Sequence, residues 1–244
     1  MSQLRRNVEQ VRERIGEAAL RSGRDPSRIT LVAVAKSFPA DSVLEAVNAG
    51  VLHFAENRVA EAQLKIPAVR AGITGSQPTW HMVGHTQSRK AAAVAGLFDY
   101  VHSVDRLKIA RRLSRFADEA GRALPVLLEC NVSGEESKLG FDVAHREDEA
   151  EQRDAFYSAI EEILALPGLS VRGLMTVAPF TSDPEEVRPV FAGLRALLDS
   201  LRERFPGGDW RHLSMGMTDD FEVAVEEGAT LVRIGRAVFG RRSS

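Results

Sequence analysis

Lys36 closes the apolar run Leu31-Val32-Ala33-Val34-Ala35, and Ser37-Phe38-Pro39 stops that run at once. A short continuous apolar run ended by a turn reads as a strand buried on both faces, as in a parallel sheet. Lysine is among the residues least often buried. Either the strand ends there and the ammonium reaches water, or the amine has a chemical task. Desolvation disfavours the charged form of a lysine, and a neutral amine attacks an aldehyde to form a Schiff base. A second set of residues with chemical capacity lies near the end of the chain, in Ser214-Met215-Gly216-Met217-Thr218 and Arg233-Ile234-Gly235-Arg236.

The elements that must position these groups follow from periodicity. Leu4, Val8, Val11, Ile15, Ala18 and Ala19 recur at helical spacing, so an amphipathic helix over about residues 3–22 precedes the first strand. Eight strand-like runs then alternate with helical ones, at 29–36, 51–55, 79–83, 100–104, 126–132, 169–175, 211–214 and 230–234. The acidic stretch from Arg146 to Arg153 leads into the helix before the sixth strand, and Pro189 predicts a kink or a late start in the helix after it. No Pro/Gly/Ser-rich linker divides the chain. The pattern predicts one (β/α)8 barrel domain over residues 1–244, with an extra N-terminal helix. An open doubly wound sheet is less favoured, because no Gly-x-Gly-x-x-Gly follows the first strand.

In such barrels, sites form where the C-terminal ends of the strands meet the following loops. Those ends carry Lys36, Glu56-Asn57-Arg58, Gly84-His85, Asn131, Lys138, Met175-Thr176 and the two late sets. Barrel enzymes often bind phosphate after the last two strands, against the N-terminus of a short helix. Ser214 can donate a hydroxyl, Gly216 and Gly235 keep the backbone accessible, and Arg233 adds a permanent charge. The plainer reading is that these glycines only make tight turns. A strand-end amine facing a phosphate cradle suits a phosphorylated aldehyde. Pyridoxal 5'-phosphate (PLP) meets that description, and so does the substrate of a Schiff-base aldolase acting on a sugar phosphate.

Composition narrows the classes. A chain of 244 residues with 44% hydrophobic and 27% charged content is ordinary for a soluble globular protein. Its formal net charge of -2 argues against a general nucleic-acid binder. Arg111, Arg112 and Arg115 sit among acids at helical spacing and read as a solvated face. The only cysteine, Cys130, lies in an apolar run and reads as a buried core residue. It leaves no disulfide framework and no cysteine zinc site. The N-terminus lacks the apolar core of a signal peptide and no run reaches membrane-spanning length, so a cytoplasmic protein without membrane contact is expected.

Seven stretches in order resemble one known family. They are Val32-Ala33-Val34-Ala35-Lys36, Phe54-Ala55-Glu56-Asn57-Arg58-Val59-Ala60-Glu61, Trp80-His81-Met82-Val83-Gly84-His85, Asn131-Val132-Ser133-Gly134-Glu135-Glu136-Ser137-Lys138, Gly173-Leu174-Met175-Thr176, Leu213-Ser214-Met215-Gly216-Met217-Thr218-Asp219-Asp220 and Val232-Arg233-Ile234-Gly235-Arg236-Ala237-Val238-Phe239-Gly240. Together they resemble the PLP homeostasis (YggS/PROSC) family over about residues 5–241.

The resemblance implies a barrel of the alanine-racemase N-terminal type, with PLP held as an internal aldimine on Lys36. It implies phosphate contacts from Ser214, the Met215 or Thr218 region, and the backbone at Gly235 and Arg236. It also implies Arg233 at the pyridine nitrogen and Asn57 beside the ring. Thr86 and Arg89 depart from the residues common in relatives, and both flank the third strand end. The family function implied is a PLP carrier and buffer, with PLP-dependent apo-enzymes as recipients, and without the partner-supplied domain of alanine racemases a monomer is expected. A charged Arg233 at the ring nitrogen would disfavour its protonation and weaken the electron sink. The chain also ends at Ser244, just after the eighth strand, where full alanine racemases continue into a second domain that supplies a catalytic tyrosine. The alternative function is a weak PLP enzyme, an amino-acid racemase or decarboxylase, with His85 or Lys138 as its base.

Overall fold

A computed structural model describes residues 2–144 and 150–241, so residues 146–149 of the acidic stretch lie outside the described residues. Nine strands follow one another: β1 (Thr30–Val34), β2 (His53–Glu56), β3 (Thr79–Met82), β4 (Tyr100–Val104), β5 (Leu124–Asn131), β6 (Phe141–Asp142), β7 (Leu169–Met175), β8 (His212–Ser214) and β9 (Leu231–Ile234). They pair in parallel in the order β4-β3-β2-β1-β9-β8-β7-β5, and β4 also pairs with β5. That last pairing closes the predicted eight-stranded barrel. The two-residue β6 lies outside the ring against the end of β5. It carries no alternation that would mark it in the sequence.

The helices α1 (Gln3–Arg21), α2 (Ala40–Asn48), α3 (Val59–Ala71), α4 (Ala91–Leu97), α5 (Leu107–Glu119), α6 (Ala150–Ala165), α7 (Arg188–Arg204), α8 (Phe221–Glu226) and α9 (Arg236–Phe239) surround it. The extra helix α1 buries Leu4, Val8, Val11, Ile15, Ala18 and Ala19, the six positions its periodicity selects. It packs against α2, α8 and α9 beside the first and last strands. Pro189 produces a late start, not a kink. A 3₁₀ turn covers Pro184–Val187, and the proline then occupies the first turn of α7, where its missing N–H costs nothing. Among the described residues, no helix is long and apolar enough to cross a membrane. Cys130 is buried on β5, as expected for a small core residue.

Successive residues of a strand point to opposite faces. On β1, Leu31 and Ala33 join the layer between barrel and helices, whereas Val32 and Val34 join a separate interior cluster with Ala55, Leu127, Met175 and Leu231. Branched aliphatic residues usually fill such an interior. Here the axis also takes His102 of β4 and Ser214 of β8, which hydrogen-bond across it although their strands are not neighbours.

One close approach within the ring depends on glycine. Gly173 on β7 has φ +145°, and a Cβ there would lie 1.9 Å from the His212 carbonyl oxygen. Gly173→Ala should therefore separate β7 from β8 and destabilise the fold by about 3 kcal/mol, read as a lower urea midpoint with an unchanged slope.

Candidate functional site

At the C-terminal ends of the strands lies a cavity of about 700 Å³. Six of the predicted site residues line it together: Lys36, Asn57, Thr218, Arg233, Gly235 and Arg236. They come from the ends of β1, β2, β8 and β9, which lie side by side in the order β2-β1-β9-β8. Ser214 and Met215 are placed differently. Both are fully buried and neither lines the cavity, and the Ser214 hydroxyl is engaged by His102 at 2.9 Å and by Arg233 at 2.7 Å. Phe38, Val83, Val177, Met217 and Asp219 also line the cavity. Only their position next to strand-end motifs pointed to them. Thr86 is buried and Arg89 exposed, and neither lines the cavity.

Lys36 lies on a turn, two residues past the end of β1. The ladder still reaches Ala35, whose N–H donates to Ala55 O at 2.9 Å. The alternation that turns Val32 and Val34 inward thus carries Lys36 to the same side. Immediately after it, Ser37 has φ +66°, the only positive φ of a non-glycine residue among the described residues. Such a conformation costs on the order of 1 kcal/mol and persists only where surrounding contacts impose it.

Those contacts come from Lys65 on α3, which is 6% exposed. Its Nζ donates to Ala35 O at 2.7 Å, to Glu56 Oε1 at 2.5 Å and to Glu61 Oε1 at 2.8 Å. Ser37 N–H donates to the same Glu61 oxygen at 2.5 Å. One buried ammonium therefore ties the backbone on both sides of Lys36 to α3. Burial pushes Glu56 above the usual carboxylate range, against the pull of Lys65. Burial also opposes ionisation of Glu61, but hydrogen bonds from Lys65 and Ser37 outweigh it and hold Glu61 low. Sequence reading missed Lys65, because one lysine in a helix reads as solvated.

Asn57 is carried by a second close approach. A Cβ on Gly84 would sit 2.1 Å from Asn57 O, so only glycine at the end of β3 lets the Asn57 backbone in. Across the cavity, Arg233 is 5% exposed. Its Nη1 donates to Ser214 Oγ and its Nη2 to Thr176 O at 2.8 Å. Burial lowers its pKa to about 10, with Glu129 and Asp220 opposing the shift, so it remains a cation at neutral pH. Arg236 at the rim is paired with Asp219 at 2.5 Å.

The two candidate bases stand elsewhere. His85 Nδ1 lies 2.9 Å from Asp105 Oδ2. Lys138 Nζ donates to Ala178 O at 3.2 Å and lines a smaller neighbouring cleft of about 150 Å³.

Removing the Lys65 charge should leave two carboxylates without their cation. Lys65→Met is expected to destabilise the protein by about 3 kcal/mol in urea unfolding. Adding Glu56→Gln and Glu61→Gln to that variant should recover a large part of the loss. Glu129 gives a pH signature. Burial, with the charge of Asp105, raises its pKa to about 7 despite Arg233. As pH rises from the ordinary glutamate range towards 7, the unfolded chain releases this proton while the folded chain keeps it. Stability therefore falls with rising pH across that window. Glu129→Gln should remove this fall, on the order of 3 kcal/mol, and unfolding midpoints measured at several pH values would report it.

A profile of the family "Alanine racemase, N-terminal domain" matches residues 1–243. The pyridoxal phosphate homeostasis protein of Escherichia coli (strain K12) is 40% identical over 246 residues, covering 99% of this chain and 98% of that protein. The protein of the same name in Pseudomonas aeruginosa is 43% identical over 242 residues, covering 99% and 97%. Among solved structures, PipY of Synechococcus elongatus PCC7942 with PLP bound superposes with a TM-score of 0.77 at 35% identity, covering 94% of this chain and 100% of that one. An alanine racemase of Clostridium difficile 630 shares the fold, with a TM-score of 0.68 at 18% identity, and this chain spans 57% of its length. With the barrel, its strand-end cavity and these full-length matches in place, the chain belongs to the pyridoxal phosphate homeostasis protein family, built on the alanine racemase N-terminal-domain fold.

Proposed function

We propose that this protein binds PLP in the strand-end cavity, with Lys36 Nζ as the amine that captures the cofactor's aldehyde carbon. Its role is then to carry and buffer PLP, without catalysing a reaction of its own. The observation that carries this reading is that Lys36 and the cations Arg233 and Arg236 open into one cavity. The names of the full-length relatives and the PLP-bound PipY structure support it.

Three features of the cavity fit the group. Asn57 Oδ1 is buried there without a hydrogen-bond partner among the described residues, so a polar edge of a ligand would satisfy it. At Gly235, a Cβ would lie 3.3 Å from Val34 O and narrow the space between the ends of β9 and β1. The donors at the rim suit a phosphate: the Thr218 hydroxyl, the Arg236 guanidinium and the first N–H groups of α9, which have no acceptor within the helix. When bound, PLP supplies an aldehyde for capture and a pyridine ring that acts as an electron sink once protonated. Arg233, a cation on the cavity wall, works against that protonation. His85 and Lys138, the two side chains considered as bases, are absent from the cavity lining. This arrangement favours holding PLP over turning over an amino acid.

The purified protein should absorb as an imine of PLP, directly or after PLP is added, and borohydride should fix the cofactor to Lys36 in a peptide map. Lys36→Ala should lose that band. An imine band that survives gel filtration in Lys36→Ala would reject Lys36 as the anchor. A protein that stays colourless with PLP would favour the sugar-phosphate aldolase reading, and amino-acid turnover lost with Lys36 would favour a racemase or decarboxylase.

A further inference from the structure

Below the cavity, the barrel axis holds a line of hydrogen bonds that a carrier site at the mouth does not by itself require. His53, His81 and His102 come from the adjacent strands β2, β3 and β4. His53 Nδ1 lies 3.0 Å from His81 Nε2, and His81 Nδ1 lies 2.8 Å from His102 Nε2. His102 Nδ1 then lies 2.9 Å from Ser214 Oγ, to which Arg233 Nη1 donates at 2.7 Å. The line runs from half-buried His53, the first residue of β2, to the arginine of the cavity wall.

Counting protons gives this line a single direction. A guanidinium only donates, so Ser214 Oγ accepts from Arg233 and its own proton goes to His102 Nδ1. His102 then carries its proton on Nε2 and donates to His81 Nδ1. His81 likewise carries its proton on Nε2 and donates to His53 Nδ1. Every bond now has one donor and one acceptor. The opposite direction would make Ser214 accept twice and leave its proton without a partner among the described residues.

A charged imidazole at His81 or His102 would bring two N–H groups head to head. Burial opposes that charge strongly, lowering His81 to about 3 and holding His102 well below the ordinary histidine range. Tyr100 stacks on His81 at 5.3 Å and meets His102 edge-on at 5.4 Å, which keeps both rings in place.

The consequence falls on Arg233. Its two terminal nitrogens are committed, one to Ser214 and one to Thr176 O, and two bonds from one planar fork fix its orientation. We propose that His81 and His102 are positioning residues for the cofactor site, which act through Ser214 to hold Arg233 in one orientation at the cavity wall. Ser214 then supports the arginine, and phosphate recognition is left to Thr218 and the start of α9. What Arg233 faces rests on the PLP reading above; the direction of the line does not.

Two measurements test this separately. Long-range ¹H–¹⁵N correlations of the histidine rings, recorded on the full chain without PLP at neutral pH, should show His81 and His102 as neutral Nε2–H tautomers. An Nδ1–H tautomer at either position overturns the proposal. The second measurement compares His102→Asn, whose amide oxygen can still accept from Ser214, with His102→Leu, which cannot. In PLP titrations, His102→Leu should shift the absorbance band and weaken binding about tenfold, the loss expected for one buried hydrogen bond. His102→Asn should keep the band and stay within about twofold of the unsubstituted protein. Equal effects in both variants, or none in His102→Leu, overturn the proposal. Should His102→Leu fail to fold, Ser214→Ala against Ser214→Thr makes the same comparison, with the threonine hydroxyl as the rescue. If the unsubstituted protein binds no PLP, the PLP reading fails, while the tautomers still decide the direction of the line.

Discussion

A closed parallel barrel sends every second strand residue towards a narrow axis that water does not fill. A polar side chain there must find its partner among the other inward residues, or carry the desolvation cost alone. This constraint organises the molecule. The aliphatic members Val32, Val34, Leu127, Met175 and Leu231 fill part of the axis. The polar members cannot be spread at random, and the three histidines, Ser214 and Arg233 resolve into one connected line. Tyr100 stands outside that line, with a buried hydroxyl that has no partner among the described residues. The outcome for the cavity is a cation whose position is decided from below, before any ligand enters.

The second buried cation has a different task. Lys65 stands outside the ring, between β1, β2 and α3, and it addresses backbone and carboxylates instead of a ligand. Buried ion pairs are weak sources of net stability, because desolvation of both partners offsets their attraction. Their geometric effect is surer. Here the ammonium and Glu61 grip Ala35 and Ser37, the two neighbours of Lys36, and hold the positive φ at Ser37. The side chain on that turn therefore has a fixed root, which suits the proposed capture of an aldehyde in one geometry.

Much of this was legible in the sequence. The hydrophobic period of α1 selects its six buried residues, and the β/α alternation gives eight barrel strands. Period two on β1 runs through Val32 and Val34 to Lys36, and on β9 through Leu231 and Arg233 to Gly235. Both series arrive at the cavity lining, because alternation is a local property of extended backbone. Asn57, Thr218 and Arg236 follow from their place at strand ends, where barrel loops converge.

Which inward residues meet was not legible. Alternation states which face a residue occupies, but not which strand stands opposite it. Ser214 looked like a ligand contact, and only the crossing of the axis from β8 to β4 shows its hydroxyl occupied by His102 and Arg233. Nothing in the sequence marks Lys65, and only the packing of α3 on β1 and β2 places Ala35 O, Glu56 and Glu61 around its ammonium. The sequence by itself determined the strands, their faces and the residues at their ends, since these depend on backbone periodicity. The tertiary structure alone decided how the polar groups are partnered. Buried hydrogen bonds join atoms far apart in the chain, and their geometry exists only once the ring has closed.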